Sequence, residues 1–551
     1  MERIKTACSL GEWSRTVREA VTEAGEHKII QRIFKHDHTV WKEDPSEISN
    51  RLGWLQTPKT MLKHTDRLRT LTDGIVRDGF TKALLLGMGG SSLAAEMLRN
   101  TLGVRPGRLD LSVLDSTDPD TVKAVRDTLN PEKTLFIVAT KSGSTAETRS
   151  FMNYFFQWIK DRLPEQEPGG RFIAITDPGS SLDKDARPLR FREVILNDPN
   201  IGGRFSALSY FGMAPAAFIG QDVRGLLTSA ADVRKACEKP DNPALQIGVA
   251  LGRLARAGVD KATFVFSDEI APFGDWVEQL IAESTGKENR TGILPVVHES
   301  QADPDQYGKD RVFIRVRLEG DDSRTDWLAR LESEGHPIID MALKDKQDLG
   351  GLFFLWELIT AVAGEQLRVN PFDQPHVQSA KTIAKEKIND FQETRTLPKG
   401  SALEPSAETL SDFIYQARPG DYIAIQAFVP PNRETDAALG KLRAALRSMT
   451  KLAVTVGYGP RFLHSTGQLH KGDSGKGLFI QFISDIPEED VPIPDSPESP
   501  ESSISFGVLR NAQALGDYEA LLNADRRVIR FDLAGDVQGG ILKLIPADIQ
   551  S

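Results

Sequence analysis

The sequence predicts an α/β protein built from two doubly wound parallel sheets, each an α-β-α sandwich, with a C-terminal α/β extension. Apolar runs of strand length alternate with charged segments of helix length, first after residue 80 and again after residue 245. A chain of 551 residues exceeds one ordinary domain and fits two or three. With 40% hydrophobic and 26% charged residues, it can bury cores of that number.

Residues 1–75 mix apolar spacings with charge, as in WSRTVREAVTEAG and TMLKHTDRLRTLTDGI, and read as an N-terminal helical segment. The first alternation defines a unit over 76–225. In it KALLLGMGG, LDLSVLDS, TLFIVATK and RFIAITD are strands, while SSLAAEMLRNTLG, DPDTVKAVRDTLN and STAETRSFMNYFFQWIKDRL are helices, the second of them opened by an Asp cap. A second unit spans 240–392, with strands KATFVFSD, GILPVVHE and RVFIRVRLEG between helices such as DWVEQLIAESTG and GGLFFLWELITAVAGEQL. The region 393–551 adds strands DYIAIQAF, KLAVTVGYG and GLFIQFIS. Its stretch 485–503, DIPEEDVPIPDSPESPESS, has the composition of a solvated linker or flexible loop.

The net charge of −10 argues against nucleic acid as a partner, although a local pocket of donors can still hold a small anion. Two cysteines, Cys8 and Cys237, offer neither a disulfide framework nor a cysteine metal site. The charged N-terminus lacks the apolar core of a signal peptide, and the longest apolar run is broken by Glu357. A cytoplasmic protein with no membrane partner is expected.

Two strand-to-helix loops carry candidate chemistry. LLLGMGGSS passes through Gly87, Gly89, Gly90, Ser91 and Ser92; it fits neither a P-loop nor GxGxxG, and a merely tight turn explains its glycines equally well. ATKSGSTAET is more specific. Thr140, Lys141, Ser142, Ser144, Thr145 and Thr148 crowd the start of a helix, whose free N–H groups and dipole favour an anion. A capping box from Ser144 to Glu147 accounts for one hydroxyl there, not for all of them. The loop is expected to bind a phosphate monoester.

Five segments, LGMGGSSLAAE, TKSGSTAET, IGGRFSALSYFG, LIAESTGKE and NPFDQPHVQSAK, occur in the order found in glucose-6-phosphate isomerases, a family built of two sugar-isomerase (SIS) domains. The resemblance spans roughly residues 80–390. The C-terminal segments GYGPRFLHSTGQLHKGD and SFGVLRNAQALGDYEALL resemble the isomerase half of the bifunctional transaldolase/glucose-6-phosphate isomerases. The chain is expected to be that half alone, because a barrel of at least about 200 residues does not fit before the first SIS strand.

The resemblance implies an aldose–ketose isomerase interconverting glucose 6-phosphate and fructose 6-phosphate, without cofactor or metal. Such chemistry needs a base that moves a proton between C2 and C1, a cation beside the enediolate oxygen, and a group that opens the ring. Carried over from the family motifs, Glu283 is the base, Arg204 the enediolate cation and Lys381 a ring-handling group. Gly90, Ser91, Thr140, Lys141, Ser142, Thr145, Gly203, Gln279 and Gln374 are the substrate contacts. Gln279 lies one helical turn before Glu283, and the seven-residue spacing of Gln374 and Lys381 places them on one helix face.

The ring-opening histidine has no clear counterpart after Glu283. His298, His376, His464 and His470 are the candidates, the last two if the C-terminal region folds over the site; Lys381 with ordered water is the alternative. His36 and His38 lie apart from every motif, so no metal cluster is expected. A homodimer is implied by resemblance. A non-catalytic phosphosugar-binding SIS regulator, or an isomerase of another phosphosugar, are the other readings.

Overall fold

The computed structural model describes residues 3–290 and 292–546, so the extreme ends of the 1–75 and 393–551 segments lie outside the described residues. The first sheet has five parallel strands in the order Asp110–Leu114, Lys82–Gly87, Thr134–Ala139, Phe172–Thr176, Glu193–Leu196. The chain leaves Lys82–Gly87 toward one edge and returns on its other side at Thr134–Ala139, with Leu86 opposite Val138. That reversal opens a crevice between the carboxyl ends of these two strands, the place where open α/β sheets bind ligands. Its lips are the two loops singled out above.

The second sheet runs Ile4–Ser9, Ile338–Leu343, Arg311–Leu318, Lys261–Phe266, Leu294–Val296. Its pairings are parallel except at Ile4–Ser9, which adds to the edge antiparallel, Ile4 opposite Leu343. The expected N-terminal segment is therefore not helical throughout. Only Ile4 of that strand is buried, so backbone pairing and not an apolar stripe fixes it. The helices that follow brace the first unit: Trp54 is fully buried against Phe205 and Phe354, and the Gly53 amide donates to the Asn200 carbonyl at 2.9 Å.

The C-terminal region forms a third, four-stranded parallel sheet, Ala453–Tyr458, Tyr422–Phe428, Gly477–Ile483, Arg527–Asp532. It is docked firmly on the other two. Arg510 reaches Asp118, the cap of helix Pro119–Asp127, at 2.7 Å with both side chains buried. Arg443 and Arg447 donate to the Val297 and Ser300 carbonyls at 2.9 and 2.5 Å. Helix Val377–Thr394 links this sheet to the second, and its Lys387 pairs with Glu519 of helix Phe506–Asn523.

The 485–503 stretch is not the flexible linker its composition suggests. Pro492–Ile493 pairs with Ile504–Ser505, and Val491 and Ile493 are buried against the aromatic core of the first sheet. Asn153 donates to the Pro494 carbonyl at 2.9 Å, and Lys160 to that of Glu498 at 3.2 Å. Two apolar residues placed at a two-residue interval suffice to strap an otherwise polar segment down. Among the described residues no helix is long and apolar enough to cross a membrane. Ile493→Ala should cost about 2–5 kcal/mol in urea unfolding, the range for a truncated core isoleucine. A solvated segment would show no change.

Candidate active site

Every residue carried over from the family motifs lines a single cleft of about 530 Å³ at the crevice of the first sheet, whereas Ser144 and Thr148 of the hydroxyl loop do not line it. Loops from all three sheets converge there. Gly89 and Gly90 are the point of convergence. A Cβ on Gly90 would stand 2.1 Å from the Gly203 carbonyl oxygen, and one on Gly89 would stand 2.7 Å from the His464 carbonyl oxygen and 2.8 Å from Gln279 Nε2. Ser206 Oγ lies 3.1 Å from the Gly90 carbonyl and 2.6 Å from that of Gly203, which pins the two turns together. The glycines of LGMGGSS therefore do more than turn a strand into a helix.

On one side of the cleft lies the hydroxyl loop. Thr140 Oγ1 and Thr145 Oγ1 are 3.0 Å apart, Ser142 Oγ and Ser144 Oγ 2.9 Å apart. Thr145 occupies the N-cap of helix Ala146–Arg162 and makes no side-chain cap bond. The capping box between Ser144 and Glu147 is thus absent, and the first-turn amides remain open to an anion. Lys141 does not project as a free point charge: it is paired with Asp177 and donates to the Pro199 carbonyl at 3.0 Å. Arg51, which composition does not single out, also lines this end, held by Glu47 at 2.8 Å.

On the other side, helix Phe273–Thr285 presents Gln279 and Glu283, one turn apart as expected. Glu283 Oε2 has two long contacts, 3.3 Å from Gln279 Nε2 and 3.5 Å from Arg204 Nη1. The carboxylate is steered without being locked. Gln279 Nε2 also donates to the His464 carbonyl at 2.7 Å, while its buried Oε1 has no partner among the described residues. A sugar hydroxyl would satisfy that acceptor.

Arg204 sits in the turn Gly203–Phe205 and is buried. Burial pulls its pKa down, against the opposing pull of Glu283 and Asp373. Its donors reach Ser284 Oγ at 2.8 Å, Gln374 Oε1 at 2.9 Å, and the Pro371 and Asp373 carbonyls at 2.6 and 2.8 Å. Lys287 grips the same turn through the Asn370 carbonyl and the Asp373 carboxylate, at 2.6 and 2.7 Å; burial, then Arg204, brings its pKa down to about 7. Gln374 belongs to this turn. Helix Val377–Thr394 begins three residues later, so Gln374 and Lys381 do not share a helix face as their spacing suggests. Both line the cleft nonetheless. Lys381 is exposed and has no ion pair or hydrogen-bond partner among the described residues, which leaves its ammonium available.

The histidine question has a geometric answer. His298 pairs with Asp275 at 2.7 Å and borders a different cleft, while His376 Nδ1 and His470 Nδ1 lie against Gln468 and Gln426. His464 alone of the four lines the site. Its Nε2 is 2.8 Å from Glu147 Oε1, which also accepts from Gln513 Nε2 at 2.6 Å. Burial would push the Glu147 carboxyl up, but His464, its hydrogen bond and Lys381 outweigh that and hold it at about 2. The other ring nitrogen of His464 has no partner among the described residues and is left to the cleft. Glu147 is the residue that sequence reasoning assigned to capping alone; its place in TKSGSTAET was the available signal.

A sequence model of the family described as phosphoglucose isomerase matches residues 56–309. The chain is 27% identical over 387 residues to the glucose-6-phosphate isomerase of Rubrobacter xylanophilus, covering 60% of this chain and 88% of that protein. It is 28% identical over 353 residues to the glucose-6-phosphate isomerase of Campylobacter jejuni, covering 56% and 85%. Among solved structures, a glucose-6-phosphate isomerase from Chlamydia trachomatis superposes with a TM-score of 0.58 at 19% identity, over 71% of this chain and 90% of that one, a likeness of fold. Gly90→Ala tests the convergence point: its methyl group must part the Gly90 and Gly203 turns, and kcat/KM on the cleft's substrate should fall about a hundredfold or more. An unimpaired variant would show that the two turns need not touch.

Proposed function

We propose that this chain is an enzyme of the phosphoglucose isomerase family and interconverts glucose 6-phosphate and fructose 6-phosphate, supported by the family model over residues 56–309 and by the similarity to glucose-6-phosphate isomerases. The phosphate rests on the hydroxyls of Thr140, Ser142 and Thr145 and on the open amides of helix Ala146–Arg162, with the carboxylate-paired Lys141 and Arg51 at the same end of the cleft. Gly90, Ser91 and Gly203 let the sugar chain lie close against backbone, and Gln279 Oε1 and Gln374 bind its hydroxyls.

Ring opening comes first. The ring C–O bond breaks as the ring oxygen takes a proton from protonated His464; the proton that the anomeric hydroxyl loses as the carbonyl forms passes to solvent water, from which His464 regains one. Glu147 holds the imidazole in place, and Lys381 lines the same cleft. Glu283 then takes the proton from C2 of the aldose and returns it to C1, passing through a cis-enediol. Arg204, planar and cationic, lies beside the enediolate.

The observation that carries this reading is the meeting of Glu283, Arg204, Lys381 and the His464–Glu147 pair in one cleft with a phosphate loop. A binding module without catalysis would have no use for that set. The homodimer rests on family resemblance.

Glu283→Gln removes the base while preserving shape. It should lower kcat by about 10²–10⁴, the span of general base catalysis, and leave KM within a few-fold. A coupled assay reading glucose 6-phosphate through its dehydrogenase measures this. A variant retaining most of its kcat would remove Glu283 from the proton transfer.

A further inference from the structure

Arg461 stands outside the cleft, three residues before His464 and at the opening of the short turn Arg461–His464. Its guanidinium meets carboxylates from both other units. One arm pairs with Glu96, in the helix Leu93–Leu102 that follows the Gly89–Ser92 turn. The other pairs at 2.9 Å with Asp115, just past the end of strand Asp110–Leu114. Asp275, at the start of the base helix, lies 3.8 Å away. These carboxylates come from the elements that set the glycine turn, the edge of the crevice and the position of Glu283.

We propose that Arg461 is the residue that positions His464 for ring opening, by tying its turn to the glycine-turn helix and the base helix at once. This rests on the role given to His464 above.

Five features favour it. The turn Arg461–His464 is short, so fixing its first residue constrains its last. The His464 backbone meets Gly89 and Gln279 with no slack, since a Cβ on Gly89 would already collide with the His464 carbonyl. A forked guanidinium can hold two carboxylates on diverging elements at defined angles, as a lysine ammonium cannot. His464 itself reaches Glu147 through its ring alone, so the direction of the ring depends on where the turn is held. Arg461 touches none of the cleft's interior, and its effect passes through His464.

The test compares two ketose substrates. Fructose 6-phosphate must be opened before it isomerises. Its 5-deoxy analogue has no hydroxyl with which to close a furanose ring, and its O6 is phosphorylated, so it is always open-chain. Its conversion to the aldose is followed by proton NMR. Arg461→Lys keeps a cation among the three acids and loses the fork; Glu96→Gln removes one anchor and serves if the first variant folds poorly. Each should lower kcat on fructose 6-phosphate about tenfold or more, with KM and turnover of the 5-deoxy analogue within a few-fold of the parent, because general acid catalysis contributes about 10²–10⁴ and only the opening step is impaired.

His464→Asn is the reference for that signature. If it lowers both substrates alike, or neither, the ring-opening role of His464 fails. If it is selective while Arg461→Lys and Glu96→Gln depress both substrates equally, or leave fructose 6-phosphate untouched, the positioning role of Arg461 is overturned.

Discussion

At Gly89 and Gly90, backbone rests on backbone. The Gly203 carbonyl occupies the space of one missing side chain, and the His464 carbonyl with the Gln279 amide occupies that of the other. Hard-core repulsion rises so steeply that even a methyl group there must move a whole loop. Everything the cleft contains is measured from this contact. Arg204 follows Gly203 directly, Gln279 sits one turn from Glu283, and His464 carries the imidazole. Loops from three sheets are thereby brought to one point.

Around that point most of the positive charge is already committed. Arg204 uses its donors on Ser284, Gln374 and two carbonyls, and Lys141 is held by Asp177. Burying a guanidinium costs several kcal/mol unless its hydrogen bonds are satisfied, and here they are satisfied by the turn that also holds Gln374. The result is a fixed dipolar frame in which little needs to reorganise as an enediolate forms. Glu283, by contrast, keeps only long contacts, and Lys381 keeps none among the described residues. The proposed base is thus among the least engaged groups of the cleft, whereas His464 is held by Glu147.

The parts of this site that chemistry concentrates locally were legible in the sequence. The hydroxyl cluster before a helix could be read from its own residues, whereas Arg204, Gln279 and Glu283 were picked out by their resemblance to family motifs. The reading failed where purpose depends on distant contacts. Glu147 looked like a capping partner because its true neighbours, His464 and Gln513, lie more than 300 residues away. His464 stayed one of several candidates because only docking of the third sheet brings it to the cleft. The strands passed over, Ile4–Ser9, Glu193–Leu196, Ile338–Leu343 and Arg527–Asp532, carry polar or charged residues; three of them lie at sheet edges, where burial on both faces is not required. The strap around Ile493 was hidden by its proline and acid content, since two buried side chains do not alter a composition.

The proposed reaction moves its protons through side chains of this cleft and solvent water alone. The most direct measurement is turnover of fructose 6-phosphate to glucose 6-phosphate by the purified chain, with a metal chelator present throughout. The account predicts sustained turnover, at the order of 10 s⁻¹ or more typical of enzymes, undiminished by chelator. Saturable binding of the sugar phosphate without turnover, or turnover that the chelator abolishes, would contradict it.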